Sequence, residues 1–195
     1  MHGLINRAME RFLKDRFGKQ AWRAIVARAG LPFESFEPLM IYDPRLTDAV
    51  VAAAVVVVDR PRDVLLEDMG TYLVSHRSGE RLRRLLRFGG VGFRDFLNSV
   101  EELPARARLA LPDMALPDMR LVDLGQGQFT LSSDAPFEGA GFVVMGLLRA
   151  MADDYGALAL LDMVGQGHQG DVIHIQLLDE DHAEGRHFDL SAGVA

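Results

Sequence analysis

Apolar residues open the chain at three- and four-residue spacing. Leu4, Ile5, Ala8, Met9, Phe12 and Leu13 form one stripe, which predicts an amphipathic helix ending near Gly18. Trp22, Ile25 and Val26 continue the spacing in a second segment that Gly30 stops, and Pro32 enforces a non-helical connection after it. Further helical patterns cover residues 47–58, 62–74, 79–88 and 93–103. The most apolar run, Ala49 to Val58, lies between Asp48 and Asp59; it is far shorter than the ~20 residues of a membrane span and reads as a buried helix.

Beyond Pro104, Pro112 and Pro117 the period changes toward that of strands. Residues 119–124 and 128–132 flank a Gly-Gln-Gly turn, residues 139–153 restore a helix, and residues 158–164 and 171–178 form a second predicted hairpin, with a short strand expected near 187–190. Helices first and a helix-bearing antiparallel sheet second make the class α+β: a single domain with a helical lobe of about residues 1–111 packed on a sheet lobe of about 112–195.

Charge and composition narrow the chemistry. A net charge of −7 offers no field for a nucleic-acid backbone or an anionic membrane, and the absence of cysteine excludes thiolate ligands and iron–sulfur clusters. No secretory signal pattern opens the chain, so the expected address is cytoplasmic. Nucleophile elbow, phosphate loop and His-Glu-x-x-His helix are all missing, and an enzyme is not expected.

Particular residues carry a resemblance. The opening Met1-His2-Gly3-Leu4-Ile5-Asn6-Arg7-Ala8-Met9-Glu10, then Phe17-Gly18 with Trp22, then Ile41-Tyr42-Asp43, and above all the run Phe93-Arg94-Asp95-Phe96-Leu97-Asn98-Ser99-Val100-Glu101-Glu102-Leu103 resemble the heme nitric-oxide/oxygen-binding (H-NOX) family. Pro112, Met114, Pro117, Gly139, Gly146-Leu147-Leu148 and Tyr155-Gly156 follow at the expected distances. The resemblance implies a heme-based gas sensor that signals to a separate protein of the histidine kinase or cyclase kind.

It also implies where heme would be held, and there the chain departs. The family's proximal histidine follows the leucine that ends the last-quoted run; here that position is Pro104, which has no donor atom. The family's Tyr-x-Ser-x-Arg grip on the heme propionates falls on Ser133, Ala135 and Phe137, which removes the guanidinium and one hydroxyl. Ile5, Met9, Leu97, Val100, Pro104, Pro117 and Phe137 are the lining residues the resemblance implies for an apolar pocket, either open to a small apolar ligand or filled by side chains. His2 and His76 are the fallback axial ligands, both expected at the solvated surface. Three readings stand: a sensor or regulatory module without ordinary heme, a heme sensor with a non-standard ligand, and a ligand-free structural interaction protein. Arg81, Arg83, Arg84 and Arg87 read as a solvated helix face, and Asp153-Asp154 as carboxylates adjacent only in sequence.

Overall fold

In a computed structural model, which describes residues 1–110, 117–134, 137–165 and 170–188, the first apolar stripe folds as α1 (Gly3–Ala29). Gly18 interrupts it with φ 88° and ψ 163°, so the two helical segments expected around that glycine run on as one element with a kink. Gly30, at φ 66°, ends α1 in the left-handed cap that glycine adopts without strain. Asp43 caps α2 (Pro44–Val58), with proline in the first turn where its missing N–H costs nothing. Then come α3 (Arg62–Ser75), α4 (Glu80–Arg87) and α5 (Phe93–Ser99).

The helix expected to end at Leu103 does not end there. A 3-10 turn, Val100–Glu102, leads directly into α6 (Leu103–Ala110), and Pro104 lies in its first turn. Proline has no N–H to donate and its ring presses on the carbonyl four residues earlier, that of Val100, so the helix tightens at this point and resumes beyond it.

Strands β1 (Met119–Gly125), β2 (Gln128–Ser133), β3 (Leu158–Gly165) and β4 (Asp171–Asp179) form one antiparallel sheet in the order β1-β2-β4-β3, with α7 (Ala140–Tyr155) between the hairpins in sequence. No strand forms at His187 and Phe188; the rest of the expected closing strand lies outside the described residues.

Two hydrophobic cores result. One gathers Met9, Phe12, Leu13, Trp22, Ile25, Phe36, Leu66 and Met69 with Phe137 and Ala140; the other gathers Phe93, Phe96, Leu97, Val100 and Leu103 with Phe129, Leu131, Met151, Ile173 and Ile175. Helices α3 and α7 cross between them at backbone contact. A Cβ on Gly70 would fall 2.0 Å from the carbonyl oxygen of Val143, and one on Gly146 2.0 Å from that of Glu67, so only glycine fits at either position.

The candidate heme-family site

Helix α5 and the 3-10 turn present Leu97, Val100 and Leu103 inward because these positions recur at helical spacing. They are 0%, 1% and 5% exposed. Pro104 follows them and is buried as well. Glu101, on the outer side of the turn, accepts a hydrogen bond from the Leu121 amide at 2.7 Å and so ties this segment to β1. On the opposite side Met9 is buried in the helical core. Ile5 and Pro117 are half-buried.

Ser133 ends β2, 3% exposed, its hydroxyl donating to the Asp134 carbonyl at 3.3 Å. Phe137, 8% exposed, packs in the helical core, and its carbonyl accepts from Ala140 at the entry to α7. Arg62 fixes this corner by donating to the Glu138 carbonyl at 2.7 Å and pairing with Asp48 at 3.2 Å. Ala135, Pro112, Met114 and His168 lie outside the described residues. The implied lining residues are therefore divided: Met9 and Phe137 belong to one core, Leu97 and Val100 to the other. In the helical core, the cavity among Met9, Phe12, Leu13, Val51, Leu66 and Met69 measures about 10 Å³, the room of a single water.

Of the fallback ligands, His2 is not at the surface. It is 8% exposed because Met1 and His2 pair with the chain at Ile41 and Tyr42, and its Nδ1 caps α1 by accepting the Leu4 amide at 3.2 Å. His76 is partly exposed, stacked on Tyr72 with centroids 4.6 Å apart, and 4.0 Å from the Asp15 carboxylate. Among the described residues no three His, Asp or Glu side chains gather as a metal site.

Two charged clusters escaped the sequence reading. Arg83 was expected on a solvated helix face and Asp154 as one of two carboxylates adjacent only in sequence, yet they pair at 2.7 Å with both side chains 4% exposed, because the first turn of α4 packs against the end of α7. Arg83 also donates to the His187 carbonyl at 3.2 Å, Arg186 donates its amide to the Asp154 carbonyl, and Phe188 lies under the Arg83 and Arg87 guanidiniums. Burial, partly countered by Arg87, pushes the neighbouring Tyr155 phenol up to about 12. In the helical core Glu10 is 1% exposed and accepts from Lys14 at 2.5 Å, Arg7 at 2.7 Å, Ser35 at 3.0 Å and the Phe36 amide at 2.9 Å. Burial alone would raise its carboxyl, but the donors from Lys14, Phe36 and Ser35 outweigh it and hold the group below the ordinary glutamate range.

A sequence family described as Haem-NO-binding matches residues 2–159. The chain belongs to that family. The fold agrees: an H-NOX protein from S. oneidensis superposes with TM-score 0.78 at 16% identity, covering 96% of this chain and 100% of that one. An H-NOX protein from K. algicida superposes with TM-score 0.74 at 16% identity, covering 97% and 100%. Among curated relatives, soluble guanylate cyclase gcy-31 of Caenorhabditis elegans is 22% identical over 90% of this chain. Soluble guanylate cyclase 89Db of Drosophila melanogaster is 23% identical over 58% of it. The chain spans only 25% and 17% of the lengths of these two relatives. Among its described residues no helix is long and apolar enough to cross a membrane.

Proposed function

We propose that this H-NOX chain is a regulatory module that works without histidine-ligated heme and passes its state to a separate signalling protein. The observation that carries the reading is Pro104, buried beside Leu103 where the family resemblance puts the iron ligand, with no atom able to bind iron. The propionate side of the site agrees with it. Phe137 stands where a guanidinium would, and desolvating two carboxylates without a cation costs several kcal/mol each. The residues present do not fit heme, and no step of the module's action passes through it. Met9, Leu97, Val100 and Phe137 are each no more than 8% exposed, and the cavity beside Met9 has room for about one water, which favours a filled site over one holding a small apolar ligand. The guanylate cyclase relatives support a cyclase as the partner kind, and the family resemblance adds a histidine kinase.

An absorption spectrum tests the reading. Protein purified from cells supplied with heme precursor should show no Soret band. A stoichiometric band lost on His2→Ala or His76→Ala would replace the proposal with a heme sensor using a non-standard ligand.

A further inference from the structure

Helix α4 buries one face and leaves the other bare. Arg83 and Leu86 point inward, and Leu82 packs against the core shared with the sheet. At about 3.6 residues per turn, the line opposite them runs through Arg81, Arg84, Leu85 and Phe88, the last being the cap residue, which keeps helical dihedrals. Arg81 is exposed and Phe88 is 67% exposed, while Arg84 and Leu85 are partly so. The chain then runs Phe88-Gly89-Gly90-Val91-Gly92, a loop with only two side chains, and the second of them, Val91, is 93% exposed.

The backbone of that loop is nonetheless fixed. Tyr155 donates its hydroxyl to the Gly90 carbonyl at 3.1 Å, and the Asp95 carboxylate accepts the Val91 and Gly92 amides at 3.2 Å each. A Cβ on Gly89 would fall 2.3 Å from the Ser99 hydroxyl and one on Gly90 2.1 Å from the Asp95 Cβ, so the loop lies close on α5. Two apolar side chains held out on a fixed backbone add nothing to the fold. They lose little freedom on docking, which is how an interface anchor is built. Charge identifies what docks. Residues 77–95 hold six arginines against Glu80 and Asp95, in a chain whose net charge is −7. Arg83 pairs with Asp154 and Arg94 with Glu180, so the outward line of α4 is basic at Arg81 and Arg84, with Glu80 only at its start.

We propose that this line, extended by Val91, is where an acidic amphipathic helix of the partner protein packs, its aliphatic stripe on Leu85, Phe88 and Val91 and its carboxylates beside Arg81 and Arg84. Side chains at three- and four-residue spacing form the ridge that fits between those of a second helix. A bilayer surface or a nucleic-acid backbone, being broad and anionic, meets Asp95 and Glu180 next to the loop as well as the arginines, whereas a single helix lies along α4 alone. The proposal gives the signalling contact put forward above a surface and a partner chemistry; it rests on that part of the reading and not on the state of the heme site.

Amide spectra of the isotope-labelled full chain test the proposal. The probes are a synthetic amphipathic helical peptide of about 18 residues, with leucine on one stripe and glutamate elsewhere, and its counterpart with lysine for every glutamate. The glutamate peptide should shift the amides of residues 81–92, and the lysine peptide should bind at least about tenfold more weakly. Phe88→Ser and Arg81→Glu, both at exposed positions, should leave the circular dichroism spectrum unchanged and each weaken binding by at least about fivefold. No shift up to millimolar peptide, equal binding of the two peptides, or sedimentation of the chain with phosphatidylserine vesicles that Phe88→Ser abolishes overturns the proposal. Peptide binding that shifts other residues and ignores both substitutions overturns it too, while leaving the partner reading in place; a Soret band bears only on the heme half of that reading.

Discussion

Replacing Pro104 with histidine restores the iron donor and nothing else, and this makes it the sharpest probe of the site. The substitution itself is mild, because proline in the first turn of α6 already lacks a hydrogen-bonded amide and histidine tolerates the same backbone. The obstacle is space. Leu97, Val100, Leu103 and Phe137 are 0%, 1%, 5% and 8% exposed, and on the filled-site reading a macrocycle displaces them from the contacts they make. At about 1.5–3 kcal/mol for each buried aliphatic or aromatic side chain, the four represent roughly 6–12 kcal/mol, the size of a whole domain's stability. The propionates, with Phe137 in place of a guanidinium, add several kcal/mol more. We therefore expect Pro104→His to purify with a Soret band below about a tenth of stoichiometric strength. Pro104→His with Phe137→Arg should load more, since it opens one wall and supplies the missing cation together. The assay is the ratio of Soret to protein absorbance after expression with heme precursor, with circular dichroism confirming the fold of each variant. Stoichiometric heme in the single Pro104→His variant would refute the argument from packing, because it would mean that the space persists and only the ligand is absent.

The remaining expectations concern the scaffold. Asp154→Ala removes the buried partner of Arg83 and leaves it only the more exposed Glu80, which costs about 1.5–3 kcal/mol and lowers the melting temperature by roughly 3–12 °C; a loss under about 1 kcal/mol in urea unfolding would show that the pair does not hold α4 to α7. Because the folded Glu10 carboxyl lies below its unfolded value, its contribution is present above the ordinary glutamate pKa of about 4.3 and is lost as pH falls through the lower folded value. Glu10→Gln should therefore flatten the acid limb of stability against pH, and an unchanged limb would contradict the assignment. Gly70→Ala forces α3 away from the Val143 carbonyl and should destabilise by about 1–3 kcal/mol or more in the same unfolding assay, whereas a neutral result would mean that the crossing yields easily.

What the sequence disclosed, and what it withheld, follows from the range of each interaction. Helices α2 and α3 and both hairpins were legible because capping residues, turn glycines and hydrophobic period all act within a few positions of one another. The proposed reading of Pro104 and Phe137 rests on residue types alone, since a missing donor or guanidinium is read without geometry. Arg83 was misread because its partner Asp154 is 71 residues away and each, seen locally, sits in an ordinary charged stretch. His2 was misread for the same reason: pairing of the first residues with Ile41 and Tyr42 buries it, and no local pattern announces that contact. The continuation past Pro104 into α6 escaped because proline was taken as a stop, although a 3-10 turn before it accommodates the lost hydrogen bond.

The contacts that join the helical part to the sheet part explain how the fold and the iron chemistry separate. Helices α3 and α7 meet through the Gly70 and Gly146 backbones, and Thr71 adds a hydroxyl donated to the Gly146 carbonyl. Buried Asp171 in β4 accepts the Gly141 amide at 2.6 Å and so caps the start of α7 against the sheet. None of these groups is residue 104, 133 or 137, so changes at those positions leave the joint intact while altering what the site can hold. On the proposed reading, in which the module has no iron ligand, its bias comes from outside, through contacts that favour one packing of its helices over another by the difference in their binding energy. Within the joint the sheet is linked to the helices by the Asp171 carboxylate at the start of β4, which accepts the amide of Gly141 in the first turn of α7.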